Sequence, residues 1–112
     1  SGDGTTWGAW TQVATSSLGQ GQTWQNVTGS RVHNTTYTNS TGRPIEVVVS
    51  VQFTQAVQAV AVALVGGVFI TTVGGITGGW SSMSFVVPAG ATYSVAIPGG
   101  TGVNLTQWAE LR

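Results

Sequence analysis

From residue 22 onward the apolar residues tend to recur at every second position, and helical periodicity never lasts more than about two turns. The clearest run follows Pro44. Ile45, Val47, Val49, Val51 and Phe53 share one face, while Glu46, Ser50 and Gln52 share the other. Successive strand side chains point to opposite sides, so this alternation predicts a half-buried strand. The next run is different: Val60, Val62 and Leu64 fall on one face, and Ala59, Ala61, Ala63 and Val65 on the other. A strand with no polar face is expected to be covered on both sides, and in so small a domain a second subunit is a natural cover. Alanine favours helices, which makes a helix the rival reading. The run is short and valine-rich, however, and ends at Gly66-Gly67, a hairpin signal.

Strands are also predicted at residues 22–28 around Trp24, 35–39 around Tyr37, 68–73, 81–87, 92–97 and 103–111. Met83, Phe85 and Val87 are expected inward, as are Tyr93, Val95 and Ile97. Turns are expected at Asn39-Ser40-Thr41-Gly42, Pro88-Ala89-Gly90 and Pro98-Gly99-Gly100. Residues 74–79 read as a flexible glycine loop ending at Trp80. The fold class is therefore all-β, an antiparallel sandwich of about seven to eight short strands. It occupies residues 22–112, and residues 1–21 form an extended Gly/Ser/Thr-rich lead-in carrying Trp7 and Trp10.

Charge changes this picture. The charged residues are Asp3, Arg31, Arg43, Glu46, Glu110 and Arg112, which is 5% of the chain against about 25% in an average domain. Edge strands are usually protected by lysines or other charges, and here almost none are available. Either the sheets close, or their edges pair with other copies of the chain, so an oligomer is expected. Three scattered arginines make no phosphate-binding patch, which argues against nucleic acid. The apolar stretch 56–70 is interrupted and short of the ~20 residues of a membrane helix. No signal-peptide pattern is visible, and the absence of cysteine excludes disulfides and thiolate metal sites. Four Asn-x-Ser/Thr matches, at Asn26, Asn34, Asn39 and Asn104, are expected by chance in a chain so rich in Asn and Thr.

One ordered set of residues is similar to a known family. Trp24-Gln-Asn-Val-Thr28, Arg31, Thr35-Thr-Tyr-Thr-Asn39 and Thr41-Gly-Arg-Pro-Ile45 lead it. Phe85-Val-Val-Pro-Ala-Gly90, Thr92-Tyr-Ser-Val95 and the closing Trp108-Ala-Glu-Leu-Arg112 complete it. Together they resemble the C-terminal domain of bacteriophage and prophage tail-fibre proteins, over residues 24–112 with a variable part between 51 and 80. The resemblance implies a homotrimeric fibre tip at the end of an upstream shaft. Such a tip is assembled in the host cytoplasm, displayed on the virion, and recognises a bacterial surface receptor, commonly a polysaccharide.

Candidate chemistry follows from this. A neutral sugar offers apolar C–H faces to aromatic rings and hydroxyls to Asn, Gln and Thr. Trp80 and Thr77, in or beside the glycine loop, are candidate receptor contacts, as are Trp7 and Trp10; packing is the alternative role for the tryptophans. Trp24, Tyr37 and Trp108 are candidate framework or subunit-packing residues. Arg31, Arg43, Glu46 and Glu110 are candidates for ion pairs between chains; solvated surface charges are the alternative. Glycosidases generally use two carboxylates flanking one bond, and neither glutamate has a sequence-near acidic partner, so no catalysis is expected. No cofactor or metal is expected either, apart from the remote case of three His33 rings meeting on a threefold axis.

Overall fold

The computed structural model describes residues 18–112, all-β apart from one 3-10 turn at Thr28–Ser30. Eight strands occur in this span: β1 (Trp24–Asn26), β2 (Tyr37–Thr38), β3 (Ile45–Phe53), β4 (Ala59–Val65), β5 (Val68–Gly75), β6 (Trp80–Val87), β7 (Thr92–Ala96) and β8 (Val103–Leu111). They form two four-stranded antiparallel sheets, ordered β1-β8-β3-β6 and β2-β7-β4-β5. The inner faces of both sheets supply one core, which includes Ile45, Val47, Val49, Val51, Phe53, Met83, Phe85, Val87, Val95 and Trp108. Strand β3 is buried at every odd position and partly exposed at every even one, as its alternation predicts.

The β4–β5 hairpin keeps the chain within one sheet, and its two-residue turn is Gly66-Gly67. Both glycines have positive φ, 60° and 81°, which a tight I′-type hairpin turn requires. The remaining connections between strands cross from one sheet to the other. Turns therefore gather at the two ends of the sandwich. At one end the chain enters and leaves: Thr23 and Arg112 exchange backbone hydrogen bonds, and the Gln22 amide donates to the Pro44 carbonyl at 2.9 Å. The turn at 39–44 and the turn at 88–91 lie there too. Asn39, only 1% exposed, joins them by donating to the carbonyls of Arg43, Val87 and Pro88 and accepting from the Thr41 N–H and hydroxyl. At the far end lie the β3–β4, β5–β6 and β7–β8 connections, residues 54–58, 76–79 and 97–102.

Several expectations need correcting. Of the predicted lead-in, residues 18–21 form a turn rather than an extended segment; Trp7 and Trp10 lie outside the described residues. The predicted strands at 22–28 and 35–39 shrink to three and two residues. The expected glycine loop is shorter, because Gly74 and Gly75 belong to β5. A side chain at Gly75 would lie 2.6 Å from the Phe53 ring, so glycine lets the core close here. The rest of that loop is pinned. Thr77 N–H donates to Gln55 O, Gly78 N–H to Phe53 O and Phe53 N–H to Gly79 O. On β4 the alanines take the core positions, while Val60 and Leu64 on the other face stay partly exposed. Strands β6 and β8 face β4 across the core, to which they contribute Met83, Phe85, Val87 and Trp108.

Candidate functional site

Two of the predicted framework residues, Tyr37 and Trp108, come together with Arg31 around a buried carboxylate, Glu110. Trp108 and Glu110 are two apart on β8, and both side chains point inward and are fully buried. Glu110 Oε1 accepts from Arg31 Nη2 at 3.0 Å and from Arg112 Nη1 at 2.7 Å. Its Oε2 accepts from Arg31 Nε at 3.1 Å, Tyr93 OH at 2.8 Å and Trp108 Nε1 at 3.0 Å. The Arg31 guanidinium also lies 4.7 Å from the Tyr37 ring centre, while the Tyr37 hydroxyl accepts from Val32 N–H. Burial pushes the Glu110 carboxyl up, but hydrogen bonds from Arg31, Tyr93 and Trp108 and the Arg31 charge outweigh it, and the carboxyl titrates below its ordinary range. Burial, reinforced by Glu110, raises Tyr93. The Arg31–Glu110 pair thus forms within one chain, which corrects the expectation that these two residues pair between chains. A closed, ionised carboxylate with five donors ties the two sheets together and has no access to substrate.

The other predicted residues are dispersed. Glu46 lies on the outer face of the β1-β8-β3-β6 sheet, opposite to the face of Glu110, since Val47 and not Glu46 is the register partner of Glu110. Arg43 donates to the Gln20 carbonyl in the entry segment. Trp24 sits on the short edge strand β1 and is 53% exposed, outside the core of its own chain. His33 occupies a turn beside β7, and its Nδ1 is buried with no hydrogen-bond partner. Among the described residues, no three His, Asp or Glu side chains group closely enough to hold a metal. No helix among them is long and apolar enough to cross a membrane.

Trp80 and Thr77 come together at the far end of the sandwich. Trp80 opens β6 instead of closing a flexible loop, and it is 65% exposed. Exposed Val57 and Ile76 lie in the neighbouring connections. Residues 47–109 contain no charged side chain, so this end is neutral, whereas Arg43, Glu46, Glu110 and Arg112 all belong to the entry end.

Sequence reasoning missed how the amides divide between the two ends. Those of Gln22, Gln25, Asn26 and Asn39 towards the entry end are spent on internal hydrogen bonds, as is that of Asn34, which accepts from Ile97 N–H at the far end. Those of Gln52, Gln55, Gln58, Asn104 and Gln107 bond to no other described group, and all lie on the Trp80 half of β3 and β8 or in the far-end connections. Gln20, in the entry segment, is similarly uncommitted. Apart from Gln52, assigning these residues to one region needed the strand register. A shallow depression of about 160 Å³ lies elsewhere, lined by Thr36, Leu64, Gly67, Thr92, Tyr93 and Ser94. It falls below the roughly 300–1,000 Å³ of pockets that enclose small ligands.

Comparison with protein-family models, with curated proteins and with solved structures finds no match to this chain.

Proposed function

We propose that this domain is the homotrimeric, receptor-binding tip of a bacteriophage tail fibre, and that it attaches the virion to a bacterium by binding a surface polysaccharide non-covalently. The observation that carries this reading is Trp80, exposed among uncommitted amides at the neutral end opposite the chain's entry. A shaft arriving at residue 18 would present that end outward. Aromatic faces and free amides match the C–H faces and hydroxyls of a sugar. The sequence resemblance to tail-fibre C-terminal domains points the same way. Three copies would multiply weak single-site binding through effective concentration, so a virion can release and search before it commits. No catalysis is proposed: the two glutamates among the described residues lie on opposite faces of one sheet, unable to flank one glycosidic bond within a chain.

A second reading makes the domain a structural trimerisation cap. Its support is the free edge of β5, where Val68, Phe69 and Ile70 are 60%, 74% and 50% exposed with no charge to guard them. Two measurements separate these readings. Light scattering on a sizing column should give three times the 11.5 kDa chain mass. Trp80→Ala should then lose binding to host cells with that mass unchanged. Wild-type protein that never binds cells leaves only the cap, and a stable monomer removes both.

A further inference from the structure

We infer that the glycan-binding surface is not confined to the far-end connections: it continues across the outer face of the β1-β8-β3-β6 sheet as a flat, neutral platform for an uncharged polysaccharide. This inference rests on the attachment reading above and names its footprint and ligand class.

The strand register builds the platform. Gln52 pairs with Trp80 on one side and Asn104 on the other, so the three form one row across β6, β3 and β8. Even positions of β3 point away from the core, and register partners share a face, so all three side chains point outward. The row is two strand spacings wide, about 10 Å, enough to underlie a disaccharide. The next row is Ser82, Ser50 and Gln107. A bulge between Ser50 and Val51 adds Thr106 to β8, and this extra residue brings both Asn104 and Gln107 to the outer face. Thr106 itself turns its hydroxyl to the Ser50 carbonyl at 3.1 Å.

Chemistry then selects the ligand. One indole, three free amides and two hydroxyls form a surface without a cation or an anion. The nearest charge on this face of β3 is Glu46, six residues from Gln52 and about 20 Å away at 3.3 Å per residue. An acidic polysaccharide would find no counter-charge here. A neutral one finds a stacking ring at the corner and amides that both donate and accept. The hydrogen-bonding capacity of these amides costs the fold nothing to redirect, because none is used internally.

The test is a microarray of purified bacterial surface polysaccharides, neutral and anionic, probed with the full chain, followed by titration of the best binder. All substituted side chains are solvent-facing, and melting curves confirm each variant is folded. Asn104→Ala and Gln107→Ala, on β8 and remote from the β5–β6 connection, should each weaken binding to a neutral polysaccharide about fivefold, the loss of one neutral hydrogen bond. Thr72→Ala, on the other sheet, should leave it unchanged. Binding that falls with Trp80→Ala but is untouched by Asn104→Ala and Gln107→Ala would overturn the platform and leave attachment through the far-end connections standing. Binding confined to anionic polysaccharides would overturn the ligand class. Failure to bind any polysaccharide would overturn the platform together with the attachment reading.

Discussion

Replacing Glu110 with glutamine tests how the two sheets are held together. The substitution keeps the shape of the side chain and removes its charge. Five donors now converge on the carboxylate, two of them on Arg31 and one each on Arg112, Tyr93 and Trp108. A glutamine offers one acceptor oxygen and turns an N–H₂ group toward at least one donor. Breaking a buried pair by removing one partner costs about 3–5 kcal/mol. The side chains of Arg31 and Arg112 retain 14% and 29% exposure, so water recovers part of their solvation. The lower end, about 3 kcal/mol, is the expected loss. Unfolding entropy is about 2.1 cal/mol/K per residue near the melting point, and for 112 residues that converts to a fall in Tm of roughly 13 °C.

The same substitution should change the acid limb of stability. Glu110 titrates lower in the folded chain than its ordinary value of 4.5. The unfolded chain therefore takes up the proton first, and the stabilisation is complete above the unfolded value. It is lost as pH falls from there through the lower folded value. Wild-type Tm should drop steeply below about pH 5, the Glu110→Gln curve should be flatter, and the two should converge in acid. Differential scanning fluorimetry from pH 7 to 2.5 measures this, at one fixed protein concentration because association would shift Tm. A pH 7 difference of under about 3 °C, or parallel curves across the acid range, would refute the claim that this carboxylate clamps the sheets.

Outcomes for three further substitutions are expected. Gly75→Ala places a methyl 2.6 Å from the ring of Phe53, itself 2% exposed, and should cost about 1–3 kcal/mol by overpacking. Gly29→Ala, which meets nothing within 4 Å, should leave the melting curve in place. Phe69→Lys puts a charge on the free β5 edge, where the native ring is 74% exposed. If the proposed trimer forms through that edge, light scattering should show the mass falling from three chains toward 11.5 kDa with the fold retained; a trimer mass unchanged by the substitution would locate the interface elsewhere.

Much of the sandwich was legible because its strands alternate cleanly. Strands β3, β6 and β7 have the inward residues that alternation predicts. Legibility fails where a bulge changes parity. On β8 the inward positions run Val103 and Leu105, then Trp108 and Glu110, with Thr106 as the extra residue. On β5 a second irregularity leaves Ile70 as the extra residue between Thr71 and Phe69, which pair with Ala63 and Leu64 of β4. The sequence pointed to a solvated Glu110 or one paired between chains, because a lone acid is rarely buried within its own chain. Its position two residues from Trp108, on the same face of one strand, was the available signal. Once the tryptophan is core, the glutamate must be buried too and needs cations, and Arg31 and Arg112 were the candidates in hand. Asn39 shows the reverse case: its turn was readable, while its role in tying the turns at 39–44 and 88–91 together was not, because its partners Val87 and Pro88 lie 48 and 49 residues away.

The distribution of polar groups separates the two ends of the sandwich more sharply than any one residue does. At the entry end nearly every strong polar side chain is committed: Asn39 to two turns, Gln22 to Pro44, and Glu110 to Arg31, Arg112, Tyr93 and Trp108. At the Trp80 end the backbone does most of that work, through bonds among Phe53, Thr54, Gln55, Thr77, Gly78, Gly79 and Gly102, with Asn34 Oδ1 accepting from Ile97 N–H beside them. Glycine makes this economy possible, since Gly102 lies against Gln55 where any side chain would collide at 2.4 Å. Loops closed by main-chain bonds leave their amides and hydroxyls unspent while staying ordered. Ordered, unspent polar groups suit the neutral ligand proposed above, because little conformational entropy would remain to be lost when it binds.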